Sequence, residues 1–230
     1  MKIVVSSFSD SVFVNNLDKN IEIVNKFVSE GNMFIVATGK NISNVNKIIN
    51  NKEFNCSYFI CNDGASIFDQ FMNVIYRLDI DKEYVRPIYN ALTSSKYITD
   101  VKIDVSTGFV SDYYRSANKI VAKYKDRRVA KEIEVGLNNK FHGLSTYVST
   151  NFINITSSKV SKGKSLEYLL NYYNLLDNKI YTICKNDNDA SLAHFESYVV
   201  NSDSSKFKHR VNSFEEAMKE IMSDDLNPVS

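Results

Sequence analysis

Four short segments set hydroxyls, amides and lysines beside apolar runs. Thr38-Gly39-Lys40 follows Met33-Phe34-Ile35-Val36-Ala37, and Asn62-Asp63-Gly64-Ala65 follows Tyr58-Phe59-Ile60-Cys61. Val160-Ser161-Lys162-Gly163 precedes a helical pattern over 164–170. Cys184-Lys185 closes the apolar run 180–183 and leads into Asn188-Asp189-Ala190-Ser191-Leu192. Hydroxyls, backbone N–H groups at tight turns and lysine ammonium groups are what hold phosphate. Gly39 allows a turn that aims the Thr38 hydroxyl at such a ligand. Lys162 stands at a helix start, against the helix dipole, which favours a bound anion over a solvated lysine.

Elements that could position these residues alternate along the first third. The β-branched run 2–6 reads as a buried parallel strand. Ile21, Val24, Phe27 and Val28 recur at helical spacing, and Gly31 stops that helix. A second strand at 33–37, a helix marked by Val45, Ile48 and Ile49, and a third strand at 58–61 follow. The middle reads as a helix near 82–92 with Pro87 inside it, strands at 101–105 and 109–113, a helix over 127–137, and strands at 145–148 and 152–156. The last third returns to helix and strand at 164–170, 180–183, 190–195 and 198–200. A terminal amphipathic helix carries Phe214, Ala217, Met218 and Ile221, and 226–230 reads as a frayed tail. Strand–helix alternation implies a parallel α/β sheet whose ligands sit at the carboxyl ends of its strands.

In order and spacing, the four segments resemble the Cof-type (subfamily IIB) phosphatases of the haloacid dehalogenase-like (HAD) superfamily. Thr38-Gly39-Lys40 resembles that family's second motif, Ala-Thr-Gly-Arg. Asn62-Asp63-Gly64-Ala65 resembles its Asn-Gly-Ala turn with one extra acid. Val160-Ser161-Lys162-Gly163 resembles the third motif, whose lysine binds phosphate. Asn188 to Leu192 resembles the second half of the fourth motif, Gly-Asp-x-x-Asn-Asp. The resemblance implies a Rossmann-like HAD core with a parallel sheet, built from 1–80 and 157–230. It also implies an inserted α+β cap (α-β-β-α-β-β) over 81–156.

The same resemblance places the family's first motif, Asp-x-Asp-Gly-Thr, at Ser7-Phe8-Ser9-Asp10-Ser11-Val12. Its nucleophile position is then Ser7 and its acid/base position Ser9. The Gly-Asp of the fourth motif becomes Cys184-Lys185, so a family magnesium ligand is replaced by a cation and Asp189 survives as a vestigial one. A serine hydroxyl without an adjacent base is a weak nucleophile, and His142, His194 and His209 lie in no motif. The expectation is a pseudophosphatase that binds phosphate through Thr38, Gly39, Lys162, Lys185 and Asn188 without hydrolysing it. Asn62, Asp63, Arg127 and Arg128 are candidates on the substrate or cap side. No cofactor is expected; magnesium would be needed only by retained hydrolysis. The alternative is a weakly active sugar-phosphate phosphatase with chemistry rewired through Asp10 or Asp187.

Composition sets the frame. The chain has 230 residues, 43% hydrophobic and 24% charged, with a net charge of +1, an ordinary globular balance. The ligand expected is a phosphorylated small molecule, with a protein partner second; neither nucleic acid nor a membrane is expected. Between residues 84 and 152, eleven Lys/Arg stand against six Asp/Glu. The densest group is Lys123, Lys125, Arg127, Arg128 and Lys131, read either as a solvated face or as a greeting for an anion. The N-terminus has no signal-peptide core, and Cys56, Cys61 and Cys184 show no metal spacing, so a reduced, cytoplasmic protein is expected.

Overall fold

The computed structural model describes residues 1–106, 108–110 and 116–224. Its first half runs β1 (Lys2–Ser7), α1 (Leu17–Ser29), β2 (Met33–Ala37), α2 (Ile42–Ile49), β3 (Tyr58–Cys61), β4 (Ser66–Asp69) and β5 (Val74–Arg77). Then come α3 (Lys82–Thr93), β6 (Ile98–Asp104), β7 (Phe109–Val110), β8 (Lys119–Tyr124), α4 (Arg127–Lys140), β9 (Leu144–Val148) and β10 (Phe152–Ser157). The chain ends with α5 (Lys162–Tyr172), β11 (Lys179–Cys184), β12 (Glu196–Val200), β13 (His209–Val211) and α6 (Phe214–Ser223).

The larger sheet has the order β13-β12-β11-β1-β2-β3-β4-β5. Its first six strands pair in parallel, and β4 and β5 add an antiparallel hairpin at the edge. Every residue of β1 is buried, because helices cover both faces of the sheet. Val4 and Val36 pack with Ile21, Val24 and Phe27 of α1, Val45 of α2 and Met218 of α6. The alternate residues, Ile3, Val5, Ile35 and Ala37, pack on Leu166, Leu169 and Leu170 of α5.

The smaller sheet has the order β7-β6-β8-β10-β9 and pairs antiparallel throughout. It has a core of its own, in which Val85, Ile88 and Leu92 of α3 and Ala130 and Leu137 of α4 meet Ile103, Ile120, Ile153 and Ile155.

Several elements differ from the sequence reading. Strand β8 was not foreseen, so the middle segment runs helix, three strands, helix, two strands. Its Ile120 and Ala122 are buried, but Lys119, Lys123 and Lys125 around them mask the alternation. The edge hairpin β4–β5 and β13 were also missed; β5 is only half-buried and its pattern is correspondingly weak. Helix α3 continues through Pro87. The helix expected at 190–195 is a 3-10 turn, Asp187–Leu192, pinned by the Asp189 carboxylate. Positions 111–113 of the expected 109–113 strand, and the tail 226–230, lie outside the described residues. No helix among the described residues is long and apolar enough to cross a membrane.

Candidate anion-binding site

The adjacent strands β11, β1, β2 and β3 end on one edge of the sheet, where open α/β folds bind ligands. Beyond those ends lie Lys185, Ser7, Thr38 and Asn62. The smaller sheet closes over this edge. Between the two is a cavity of about 270 Å³. The core lines it with Ser7, Phe8, Ser9, Thr38, Gly39, Lys40, Asp63, Lys162, Lys185, Asn186, Asn188 and Asp189. The smaller sheet adds Lys119, Tyr147, Ser149, Thr150 and Asn154.

Turns at the strand ends set these side chains. Thr38 N donates to Ile60 O at 2.8 Å, and Thr38 Oγ1 accepts from Lys40 N at 3.1 Å. That leaves the hydroxyl proton of Thr38 for an acceptor. Asn62 and Asp63 both adopt left-handed φ, 53° and 56°, a conformation that Asn and Asp tolerate better than other residues with a Cβ. Gly64 follows at φ 101°, and a Cβ there would lie 2.4 Å from Ser161 O. This close approach seats the Asn62–Gly64 turn against the start of α5, where Ser165 Oγ donates to Gly64 O at 2.6 Å. The Ser161 side chain caps α5. Gly163 packs so tightly on the following turn that a Cβ would fall 1.9 Å from Ser191 O.

Alternating charges run through the site. Asp189, 1% exposed, accepts from Lys162 Nζ at 2.6 Å through one oxygen and from Lys185 N at 2.8 Å through the other. Lys162 Nζ also lies 3.7 Å from Asp63 Oδ1. Asp63 Oδ2 accepts from Lys119 Nζ at 2.6 Å and from Tyr147 Oη at 2.9 Å. Lys119 Nζ donates again to Gly39 O at 2.9 Å. Burial works to raise the Asp63 pKa, but Lys119 and Lys162, with the Lys119 and Tyr147 hydrogen bonds, hold it down to about 2. Burial likewise opposes the Lys162 charge, yet Asp189 and Asp63 raise its pKa above the usual lysine value. For Tyr147, burial first and then the Asp63 charge push the phenol well above its usual value.

Lys40 differs from these paired lysines. Its ammonium donates to Phe8 O at 3.3 Å. Burial lowers its pKa, and Lys185, Lys162 and Lys119 lower it further, with only Asp10 opposing. Four ammonium groups therefore share one cavity with two carboxylates. Ser9 Oγ is buried beside them without a hydrogen-bond partner.

Most of the residues picked out by sequence converge here: Ser7, Ser9, Thr38, Gly39, Asp63, Lys162, Lys185, Asn188 and Asp189. Asn62 does not; its amide donates to Asp104 Oδ1 of β6 at 3.2 Å and serves the contact between the sheets. Arg127 lines a neighbouring cavity of about 470 Å³ that shares Ser149, Thr150, Asn186 and Asn188 with the first. Arg128 is exposed and lines neither cavity. Asp187 turns to Ser204 and Lys206 instead of joining Asp189. Asp10 lines a separate cavity with Asn15, Asn201 and Asn212. His194 pairs with Glu167, His209 with Glu196, and neither they nor His142 line the site. Lys40, Lys119, Tyr147, Ser149, Thr150, Asn154 and Asn186 were not selected in advance. Lys40 was within a quoted motif, whereas Lys119 looked like one more surface lysine of a basic segment.

The sequence model of a haloacid dehalogenase-like hydrolase family matches residues 14–108 and 99–200. This chain belongs to that family. A protein of Buchnera aphidicola subsp. Baizongia pistaciae (strain Bp), provisionally named a phosphatase, is 24% identical over 181 residues, 67% of each chain. The structure of a haloacid dehalogenase-like hydrolase from B. subtilis superposes with a TM-score of 0.80 at 14% identity, covering 99% of this chain and 100% of that one. The HAD subclass IIB sugar phosphatase BT4131 superposes with a TM-score of 0.75 at 13% identity, covering 98% and 99%. At these identities the superpositions establish the HAD fold.

HAD phosphatases generally use magnesium, and the donor set here does not suit it. Magnesium takes near-octahedral oxygen ligation at about 2.1 Å, with one or two carboxylates free to bind it. Both oxygens of Asp189 already accept hydrogen bonds, and Asp63 is engaged by Lys119, Tyr147 and Lys162. Among the described residues, no three His, Cys, Asp or Glu side chains are grouped to hold a metal ion.

Proposed function

We propose that this HAD-family protein binds a phosphorylated small molecule in the cavity between its sheets and does not hydrolyse it. One observation carries the reading. The carboxylate at the strand ends, Asp189, is consumed by Lys162 Nζ and Lys185 N, while the polar side chains that line the cavity at the end of β1 are the hydroxyls of Ser7 and Ser9. Phosphoryl transfer to a protein group needs an activated nucleophile. Among the described residues neither serine side chain is hydrogen-bonded to a histidine or a carboxylate, and Asp10, next to Ser9 in the chain, lines another cavity. Loss of a nucleophile costs on the order of 10⁶ in turnover.

The groups that remain suit binding. Thr38, Ser7 and Ser9 offer hydroxyls, and Lys40 and Lys185 offer ammonium groups. Asn154, Ser149, Thr150, Asn186 and Asn188 offer amides and hydroxyls to the rest of a polar ligand, which fits a phosphorylated polyol or sugar. The rewired alternative gains no support, because Asp10 faces another cavity and Asp187 is held by Ser204 and Lys206. The cytoplasm is the compartment proposed for it, and Cys56, Cys61 and Cys184 are all buried, unbridged thiols.

Hydrolysis of p-nitrophenyl phosphate and a panel of sugar phosphates, with magnesium and with chelator, tests the reading beside an Asp189→Ala control. The expected result is turnover no higher than the control, together with saturable binding of at least one panel member in calorimetry. Magnesium-dependent turnover that the control abolishes would overturn it.

A further inference from the structure

The cavity must stabilise an anion without the divalent cation that its donor set disfavours. We propose that the ammonium groups of Lys40 and Lys185 take that place, so that the protein binds phosphate dianions independently of metal. The inference rests on the phosphate-binding reading above and names what supplies the positive charge.

Charge decides between the two possible occupants. Lys40, Lys119, Lys162 and Lys185 bring four positive charges to the cavity, and Asp63 and Asp189 bring two negative ones. A phosphate dianion neutralises the excess; a divalent cation doubles it. Lys40 is half-buried and Lys185 exposed, so solvent screens the difference in part, and least beside the buried Lys162 and Asp189. The pairing within the cluster then separates the lysines by role. Lys162 and Lys119 are committed to Asp189 and Asp63 at 2.6 Å each. Among the described residues neither Lys185 nor Lys40 forms an ion pair; Lys40 donates to the neutral Phe8 carbonyl at 3.3 Å and feels the Asp10 charge from beyond ion-pair distance. These two are the cations left for a ligand.

The hydroxyls agree with that assignment. Lys40 is drawn to the β1 end by the Phe8 carbonyl, between Ser7 and Ser9. Ser9 Oγ is buried there with its hydrogen bond unmade, a state that costs free energy when nothing answers it. An anion oxygen between Ser9, Lys40 and Lys185 would satisfy it. Burial lowers the Lys40 pKa first, and Lys185, Lys162 and Lys119 add to it against Asp10; a bound anion would offset those lysine charges. Every carboxylate oxygen that could have held a metal is meanwhile turned towards a lysine or an N–H or O–H donor.

The test is calorimetric titration of the full chain with inorganic phosphate and with p-nitrophenyl phosphate, in chelator and in magnesium. The affinities in the two buffers should agree within about twofold. Lys40→Gln and Lys185→Gln should each weaken binding about tenfold or more, the worth of a charge-assisted hydrogen bond. Both side chains lie at the cavity and outside the core, so circular dichroism and an unchanged Tm should show intact folding. Lys185→Arg should retain most of the affinity, separating charge from shape. Binding that requires magnesium, or that is indifferent to both Gln variants, overturns the metal-free assignment and leaves the non-hydrolysing reading standing. Turnover of p-nitrophenyl phosphate overturns that reading instead, and binding of neither probe removes both.

Discussion

Asp63 is the residue on which the site turns. It sits on a core loop, yet two of its donors, Lys119 and Tyr147, come from the smaller sheet. Its carboxyl is held at about 2, below the usual 3.8. The stabilisation is therefore fully present above the unfolded-state value and disappears as pH falls from about 4 to about 2. Acid titration of the melting temperature should show a decline in that window, and Asp63→Asn should flatten it. The same variant leaves Lys119 buried without its counter-charge, which should cost about 3–5 kcal/mol by chemical denaturation. Lys40 shifts the other way, its pKa lowered by burial and by Lys185, Lys162 and Lys119. It loses its proton below the ordinary lysine range, so phosphate affinity should fall as pH rises towards that range. A bound dianion restores the pKa, so binding at alkaline pH should take up protons, measurable by calorimetry in buffers of different ionisation enthalpy.

At the scale of the element, two glycines in helices make opposite cases. Gly163 opens α5 against Ser191, where a Cβ would lie 1.9 Å from a backbone oxygen. Gly163→Ala must push α5 off the Asp187–Leu192 turn and pull Lys162 from Asp189. The expected result is a markedly lower Tm and loss of phosphate binding together. Gly136 lies within α4 with nothing within 4 Å of a built Cβ. Gly136→Ala should raise stability by about 0.5–1 kcal/mol and leave binding unchanged, because a helix interior favours alanine. Such contrasts show what a sequence reveals and what it hides. The buried strands β1, β2, β3 and β11 were legible because strands covered on both faces are continuous apolar runs. Ser7, Thr38 and Lys185 at their ends could be placed at one edge for the same reason. Strand β8 was illegible because lysines interrupt it, and one of them, Lys119, is 3% exposed for a reason that lies 56 positions away in Asp63. No local pattern announces that partner. Asn62, a candidate for the substrate or cap side, meets the smaller sheet through Asp104, 42 positions away, a partner that no local pattern announces either.

Across the described residues, the hydrophobic cores of the two sheets are joined by two chain crossings, near residues 78–81 and 158–161, and by polar contacts, two of which are latches centred on carboxylates. One latch is Asp63 with Lys119 and Tyr147. The other points the opposite way: Asp104 of β6 accepts from Asn41 Nδ2 at 2.6 Å and from Asn62 Nδ2 at 3.2 Å. Asp104 is 1% exposed, and its burial raises its pKa despite the Asn41, Ser106 and Asn62 hydrogen bonds. The latches meet at adjacent residues, Asn62 and Asp63, both in left-handed conformation. The seam also holds the polar-lined cavity and Arg77 Nη1 donating to Val105 O at 3.2 Å. Cooperativity between cores requires an interface that costs free energy to open, and here these networks supply much of it. The parent should therefore melt in a single calorimetric transition. A Lys119→Met, Asp104→Asn double variant leaves both cores untouched while weakening both latches. It should split the melt into two transitions, the smaller one assigned to the second sheet by loss of amide protection in residues 82–157. A single transition at lower temperature in that variant would show that the cores are coupled by contacts other than these two carboxylates.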